Sequence, residues 1–366
     1  EILIGLVGSE MCIRDRMKSI QRIIAIIFSA VWAILPLAAV EPTWSFDFGS
    51  VFDNREGDNK YAEAKTFFFT NLAVEGGIKF TKHDRISAGA VWNQPVANDI
   101  DDATVRPIVY YRHSERLWGL SLGMFPRTQL REQLPGFLWS DSLTYFQHNI
   151  RGALVQYHSD KAFIDFYLDW RQRQTETKRE QFNIVFHGEW RPRASTFLVG
   201  GHLMMNHYAL TKNAPDDMHI VDNFMVNPYV GLDFSRHTSL DSLVVKAGAL
   251  ATVERNRANG SGWKTPVGGW VELLGEWKWL GLKNSFYAGG RLMPSYGEFG
   301  ASLYQGEPYY QSKFYNRTDV YAHIVLNKWV DLQASLDFNI AQSSFIFYQR
   351  LSVRVLLDWT NLKFKK

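Results

Sequence analysis

The chain has 366 residues, of which 15 % are aromatic and 21 % charged, and a formal net charge of +3. A balance so near neutrality excludes a general nucleic-acid binder or a partner for acidic surfaces, and the even spread of charge excludes a bundle of apolar spanning helices. Only Ile23 to Val40 is uncharged and apolar enough to resemble a membrane helix.

That block follows Met17, Lys18 and Arg22 and closes with Pro36, Leu37, Ala38 and Ala39. Basic start, apolar centre and small residues in that order are expected of a signal peptide over 17–39, cut after Ala39 or Val40. Residues 1–16, EILIGLVGSEMCIRDR, resemble a translated sequencing adapter and are read as a non-native extension. They hold the sole cysteine, Cys12, so residues 40–366 are expected to form one barrel domain without disulfides. Setting aside residues 1–40 takes away four basic and three acidic residues and leaves 36 against 34.

From Thr43 onward, apolar and polar residues alternate for about ten positions and then a turn interrupts, the length a tilted strand needs to span a bilayer. In chain order the expected strands are 43–53, 65–81, 85–95, 103–113, 117–125, 148–158, 162–174 and 179–190. Then come 195–208, 222–235, 241–255, 265–279, 284–293, 313–327, 330–341 and 345–359. The seventh is the clearest: Ile164, Phe166, Leu168 and Trp170 share one face, while Asp165, Tyr167, Asp169, Arg171 and Arg173 share the other. Tryptophans such as Trp44, Trp118, Trp190 and Trp277 fall near strand ends on the apolar face, as interfacial girdles require.

The links alternate between short turns, such as 82–84, 159–161 and 280–283, and mostly longer ones, of which 126–147 is the longest. The fold class expected is therefore all-β: a transmembrane, antiparallel, up-and-down barrel of about 16 strands with both ends of the sheet on the short-turn side. Closure is forced, because an open sheet edge in hydrocarbon leaves backbone groups unpaired at several kcal/mol each, by order of magnitude.

With apolar faces toward lipid, the polar faces line the lumen. They carry Arg106, Arg112, Arg151, Arg171, Arg291, Arg317, Arg350 and Arg354 beside acids including Asp165 and Asp169. The 126–147 link adds Arg127, Arg131, Glu132 and Asp141 around an apolar centre of Leu134, Phe137, Leu138 and Trp139. It is expected to fold inward, pack its apolar residues on the inner wall and set its charges across a narrowed aqueous path, as a constriction.

GMFPR (123–127), NIRGALVQY (149–157), NPYVGLDFSR (227–236) and KFYNRTD (313–319) resemble stretches of porin-like outer-membrane barrels of the Bacteroidota. General porins are similar in placing their inward-folded loop between the fifth and sixth strands. The resemblance implies a bacterial outer-membrane channel for passive diffusion of small polar solutes. The rival expectation is a closed barrel serving structure or surface contact. Outer-membrane lipid and small polar solutes are the partners expected, with homo-oligomers left open, nucleic acid excluded and no cofactor called for.

A lipid-modifying enzyme would need a nucleophile, a base and an orienting group together. The Asn206-His207 pair has Ala209 where a serine would be wanted, and Asp141, Ser142 and His148 form no motif. His202 and His207 point to opposite faces of one strand, so they do not chelate together. The chain is accordingly expected not to be an enzyme and to hold no metal.

Overall fold

The computed structural model describes residues 40–360, except 59, 97–101, 193–194, 259 and 261. The adapter-like extension, the signal peptide and the C-terminal end from 361 lie outside the described residues. Among those described, no helix is long and apolar enough to cross a membrane.

Sixteen antiparallel strands close into one barrel in which each pairs with its sequence neighbours and the last returns to the first. They are β1 (Glu41–Asp58), β2 (Lys65–Lys79), β3 (Asp84–Pro95), β4 (Thr104–Ser114), β5 (Trp118–Pro126), β6 (Asn149–His158), β7 (Ala162–Gln172) and β8 (Gln181–Trp190). The second half comprises β9 (Phe197–Tyr208), β10 (Val221–Asp233), β11 (Ser242–Asn256), β12 (Val267–Trp277), β13 (Leu280–Gly289), β14 (Phe314–Leu326), β15 (Val330–Ala341) and β16 (Ser344–Asp358). Among the described residues two short α-helices interrupt the links: α1 (Asp141–Phe146) after β5 and α2 (Tyr296–Leu303) after β13.

The period-two pattern sorts side chains as a lipid-embedded barrel demands, with apolar groups outward and charge inward. On β7, Phe166 and Trp170 are 46 % and 42 % exposed on the outer face, whereas Asp165 and Asp169 are buried. Trp44, Trp118, Trp190, Trp277, Trp279 and Trp329 stand exposed at the short-turn end. The seam runs from Ser45 opposite Asp358 to Asp58 opposite Phe345, so no free edge is left between β1 and β16.

Three local departures have physical causes. β1 continues past residue 53 because Gly57, at φ +131°, lets the backbone approach Phe345, where an added Cβ would sit 2.6 Å from the carbonyl oxygen. The turn expected at 280–283 is instead Lys278-Trp279, with Trp277 opposite Leu280 and Lys278 at φ +55°. Its backbone N–H donates to Asp241 Oδ2 at 2.5 Å, which anchors a conformation unusual for lysine. β13 ends at Gly289, so Arg291 is an exposed residue of the following link and not a strand residue of the lumen wall as expected.

Candidate functional site

A 16-strand barrel normally leaves an aqueous lumen. Here two inward links fill much of it. From the β5–β6 link, the Phe137 ring stands edge-on to His202, Trp270 and Tyr310 at 5.6, 5.8 and 6.1 Å, reaching strands β9 and β12. Leu138 and Trp139 are buried beside it. From the β13–β14 link, Leu303, Tyr304, Gln305, Glu307, Tyr309 and Tyr310 are all buried.

The two links hold each other. Ser140 N–H donates to the Gln305 carbonyl, Glu307 N–H to the Gly136 carbonyl and Asp141 N–H to Glu307 Oε1, each at 2.7 Å. Ser140 also caps α1 through its hydroxyl, which accepts from Leu143 N–H. Gly306 is required at the crossing, since a Cβ there would lie 2.2 Å from the Phe137 carbonyl oxygen. A row of buried amides on β8 to β10 receives the second link: Gln305 bonds Asn183 and Asn206, Asn206 donates to Asn223, and Asn223 donates to Glu254. Tyr304 and Ser295 close the row by donating their hydroxyls to Glu254.

Several of the charged residues meet in direct contact. Asp141 Oδ2 lies 2.9 Å from Arg317 Nη1 and 2.7 Å from Arg350 Nη2. Both arginines also reach Asp337, at 3.2 and 3.0 Å. Tyr145 donates to Asp53, itself paired with Arg55 at 2.8 Å. For side chains this little exposed a charge without a partner is costly, and direct pairing is the arrangement that lowers the cost. Burial alone would raise the Asp141 carboxyl, but Arg317 and Arg350 hold it well below the usual range. Burial, with the neighbouring Asp141 charge, pushes Glu307 up to about 7 against the pull of Arg55 and Arg317.

On the opposite wall, Arg127 Nη2 lies 2.5 Å from Asp169 Oδ2 and its guanidinium sits 3.9 Å from the centre of the Trp139 ring. Asp165 accepts from the Arg131 backbone N–H, Arg112 and Arg106 donate to Gln129 and Gln147, and Glu132 stands 3.8 Å from His187. Arg151 donates to the Arg171 carbonyl, and Arg171 to that of Ser302. Arg354 pairs with Asp47 through both carboxylate oxygens. The same criterion that singled out 126–147 would have found the second link, because Tyr304, Tyr309 and Tyr310 make it equally too apolar for an ordinary solvated loop.

Beside the links, along β1, β2 and β14 to β16, lie two contiguous cavities of about 610 Å³ each, sharing Asp47, Asn71, Leu134, Trp139 and Arg354 in their walls. The first is walled by Trp44, Asp358 and Trp359 at the short-turn end. The second reaches Asp141, Tyr145, Glu307 and Tyr310, behind which Asp53 and Tyr348 are fully buried. The chamber thus lies toward the short-turn end and meets the joined links at its inner end.

A family model described as lipid A 3'-O-deacylase-type matches residues 42–359, which is every strand of the barrel except its first residue. The chain belongs to that family. Membership in the lipid A 3'-O-deacylase-type family overturns the expectation of a non-enzymatic barrel, because the family is named for an enzyme. Neighbouring residues such as Asn206-His207 or Asp141, Ser142 and His148 could not reveal an active site that a barrel assembles from strands distant in sequence. No curated protein is similar at a significant level.

Among solved structures, Pseudomonas putida OprB is 9 % identical over 87 % of this chain and 94 % of its own, with a TM-score of 0.50. Pseudomonas aeruginosa OpdK with vanillate is 10 % identical over 87 % and 99 %, at 0.49, and Pseudomonas aeruginosa OprD is 8 % identical over 87 % and 93 %, at 0.48. At such identities the likeness concerns the fold alone. This lipid A 3'-O-deacylase-type chain therefore shares a closed-barrel fold with Pseudomonas putida OprB.

Proposed function

We propose that the protein is an outer-membrane ester hydrolase that removes an acyl chain from the 3'-oxygen of lipid A. The family match across the whole barrel carries this reading. The joined links support it, since side chains such as Phe137 and Tyr309 occupy lumen that a general diffusion pore leaves to water. With the lumen so filled, the outer wall and the long-link end are the surfaces that meet a membrane lipid.

A second reading, passive passage of small polar solutes, is favoured by the polar chamber along β14 to β16. In it, Arg127, Arg131, Glu132, Asp141, Arg317, Arg350 and Arg354 would bias what enters. One experiment separates the two: the barrel is reconstituted in lipid A-containing vesicles for mass spectrometry of released acyl chains, and in planar bilayers for conductance. The hydrolase reading expects acyl release without conductance steps. Conductance without acyl release would replace it with the channel.

A further inference from the structure

Strands β7 to β11 place one residue each on a single outward row near their long-link ends. Trp170 stands opposite Phe182, Phe182 opposite His207, His207 opposite Asp222, and Asp222 opposite Arg255. Cross-strand partners share a face, and the adjoining Asn183, Asn206, Asn223 and Glu254 form the inward row already described. The outward row begins as an aromatic belt: Trp170 stacks on Phe182 at 5.3 Å and Phe182 on His207 at 4.4 Å.

Beyond the belt the row turns cationic. Arg257 grips Asp222 through two hydrogen bonds of 2.7 Å, which uses the one carboxylate of the row. No carboxylate among the described residues pairs with Arg255, whose buried Nε has no hydrogen-bond partner. Its guanidinium lies 5.8 Å from the ring of Trp263, a residue 51 % exposed. Two guanidinium groups thus face the membrane side against one acid, beside the exposed Trp170 and Trp263, a residue type that favours the headgroup layer. A cation at that depth is stabilised by headgroup anions, and the planar guanidinium fork matches a phosphate in two-point contact.

We propose that this wall is a binding site for the phosphate of an anionic outer-leaflet lipid, with Arg255 as its main ligand and Arg257, oriented by Asp222, beside it. The site stands whether or not the barrel hydrolyses lipid, because binding is read without turnover. Two sources carry such a phosphate: lipid A and an anionic glycerophospholipid.

The test uses the full barrel in a zwitterionic detergent, titrated by native mass spectrometry with lipid A, phosphatidylglycerol and phosphatidylcholine. Binding of an anionic lipid well above phosphatidylcholine is expected, with Arg255→Gln weakening it at least tenfold and Arg255→Lys restoring part of the loss. Lys328→Gln, in a turn at the other end of the barrel, should bind like the parent. A loss confined to lipid A assigns that lipid, and a loss for phosphatidylglycerol as well assigns anionic phosphate lipids in general, phosphatidylcholine differing from them in the choline that neutralises its phosphate. Unheated gel migration verifies that each variant is closed. If Arg255→Gln binds both anionic lipids as the parent does, or the parent prefers neither to phosphatidylcholine, the proposal fails.

Discussion

Glu307 and Asp141 titrate in opposite directions, although one accepts a hydrogen bond from the backbone of the other. The raised Glu307 carboxyl means that the folded links bind a proton the unfolded chain has released between about 4.5 and 7. Its contribution is therefore favourable below that window and is lost as pH rises through it. Asp141, held low by arginines, stabilises at neutral pH and loses its effect only in strong acid. Hydrogen exchange at the amides of Asp141 and Glu307, corrected for intrinsic rates, should show protection falling by roughly 1–3 kcal/mol from pH 5 to pH 8. Glu307→Gln should flatten that dependence, because an amide still accepts from Asp141 without titrating. A second residue-level expectation concerns Arg350, which contacts Asp141 and Asp337 and lies 3.7 Å from Asp53. Arg350→Ala leaves those acids short of a partner and should cost about 3–5 kcal/mol in urea unfolding from detergent; an unchanged midpoint would contradict the ion-pair account.

At the scale of elements, the two links close the lumen jointly, and the crossing at Gly306 is where they touch. Deleting Gln133 to Ser140 removes Phe137, Leu138 and Trp139 together with the Gly136 carbonyl that accepts from Glu307. Planar-bilayer recordings should then show conductance steps larger than any in the parent. A barrel that stays silent would show that the β13–β14 link suffices by itself. The strands were legible in the sequence because alternation is local: Ile164 to Arg171 reveal their two faces without knowledge of any neighbour. The site was legible only in part. Asp141 stood out as a charge in an apolar link, but its partner Arg350 lies 209 residues away, and no spacing rule connects them. Glu307 was hidden differently: the tyrosines of its link mark the segment as inward, but nothing local says which strands receive it until Tyr309 is seen against Tyr348.

For the whole molecule, closure predicts all-or-none behaviour. The purified protein should be β-rich by circular dichroism, migrate as a compact species in unheated detergent gels and shift on boiling, since opening the ring disrupts a full ladder. Gradual unfolding with no such shift, or mainly helical ellipticity, would contradict the barrel.

The seam between β1 and β16 also fixes an order of events in time. Arg354 and Asp47, facing each other across it, are 307 positions apart, so the ring exists only once the far end of the chain has met the near end. Contacts of such separation form slowly, because a long loop must close before any pairing rewards it. The buried links occupy the interior of that same ring, so a folding intermediate with an open seam would offer them a wide lateral entrance, while a zipped barrel would leave only its mouths. Variants that weaken the docking of 126–147, such as Gly306→Ala, are therefore expected to disturb the yield of assembled barrel more than the lifetime of barrels already formed.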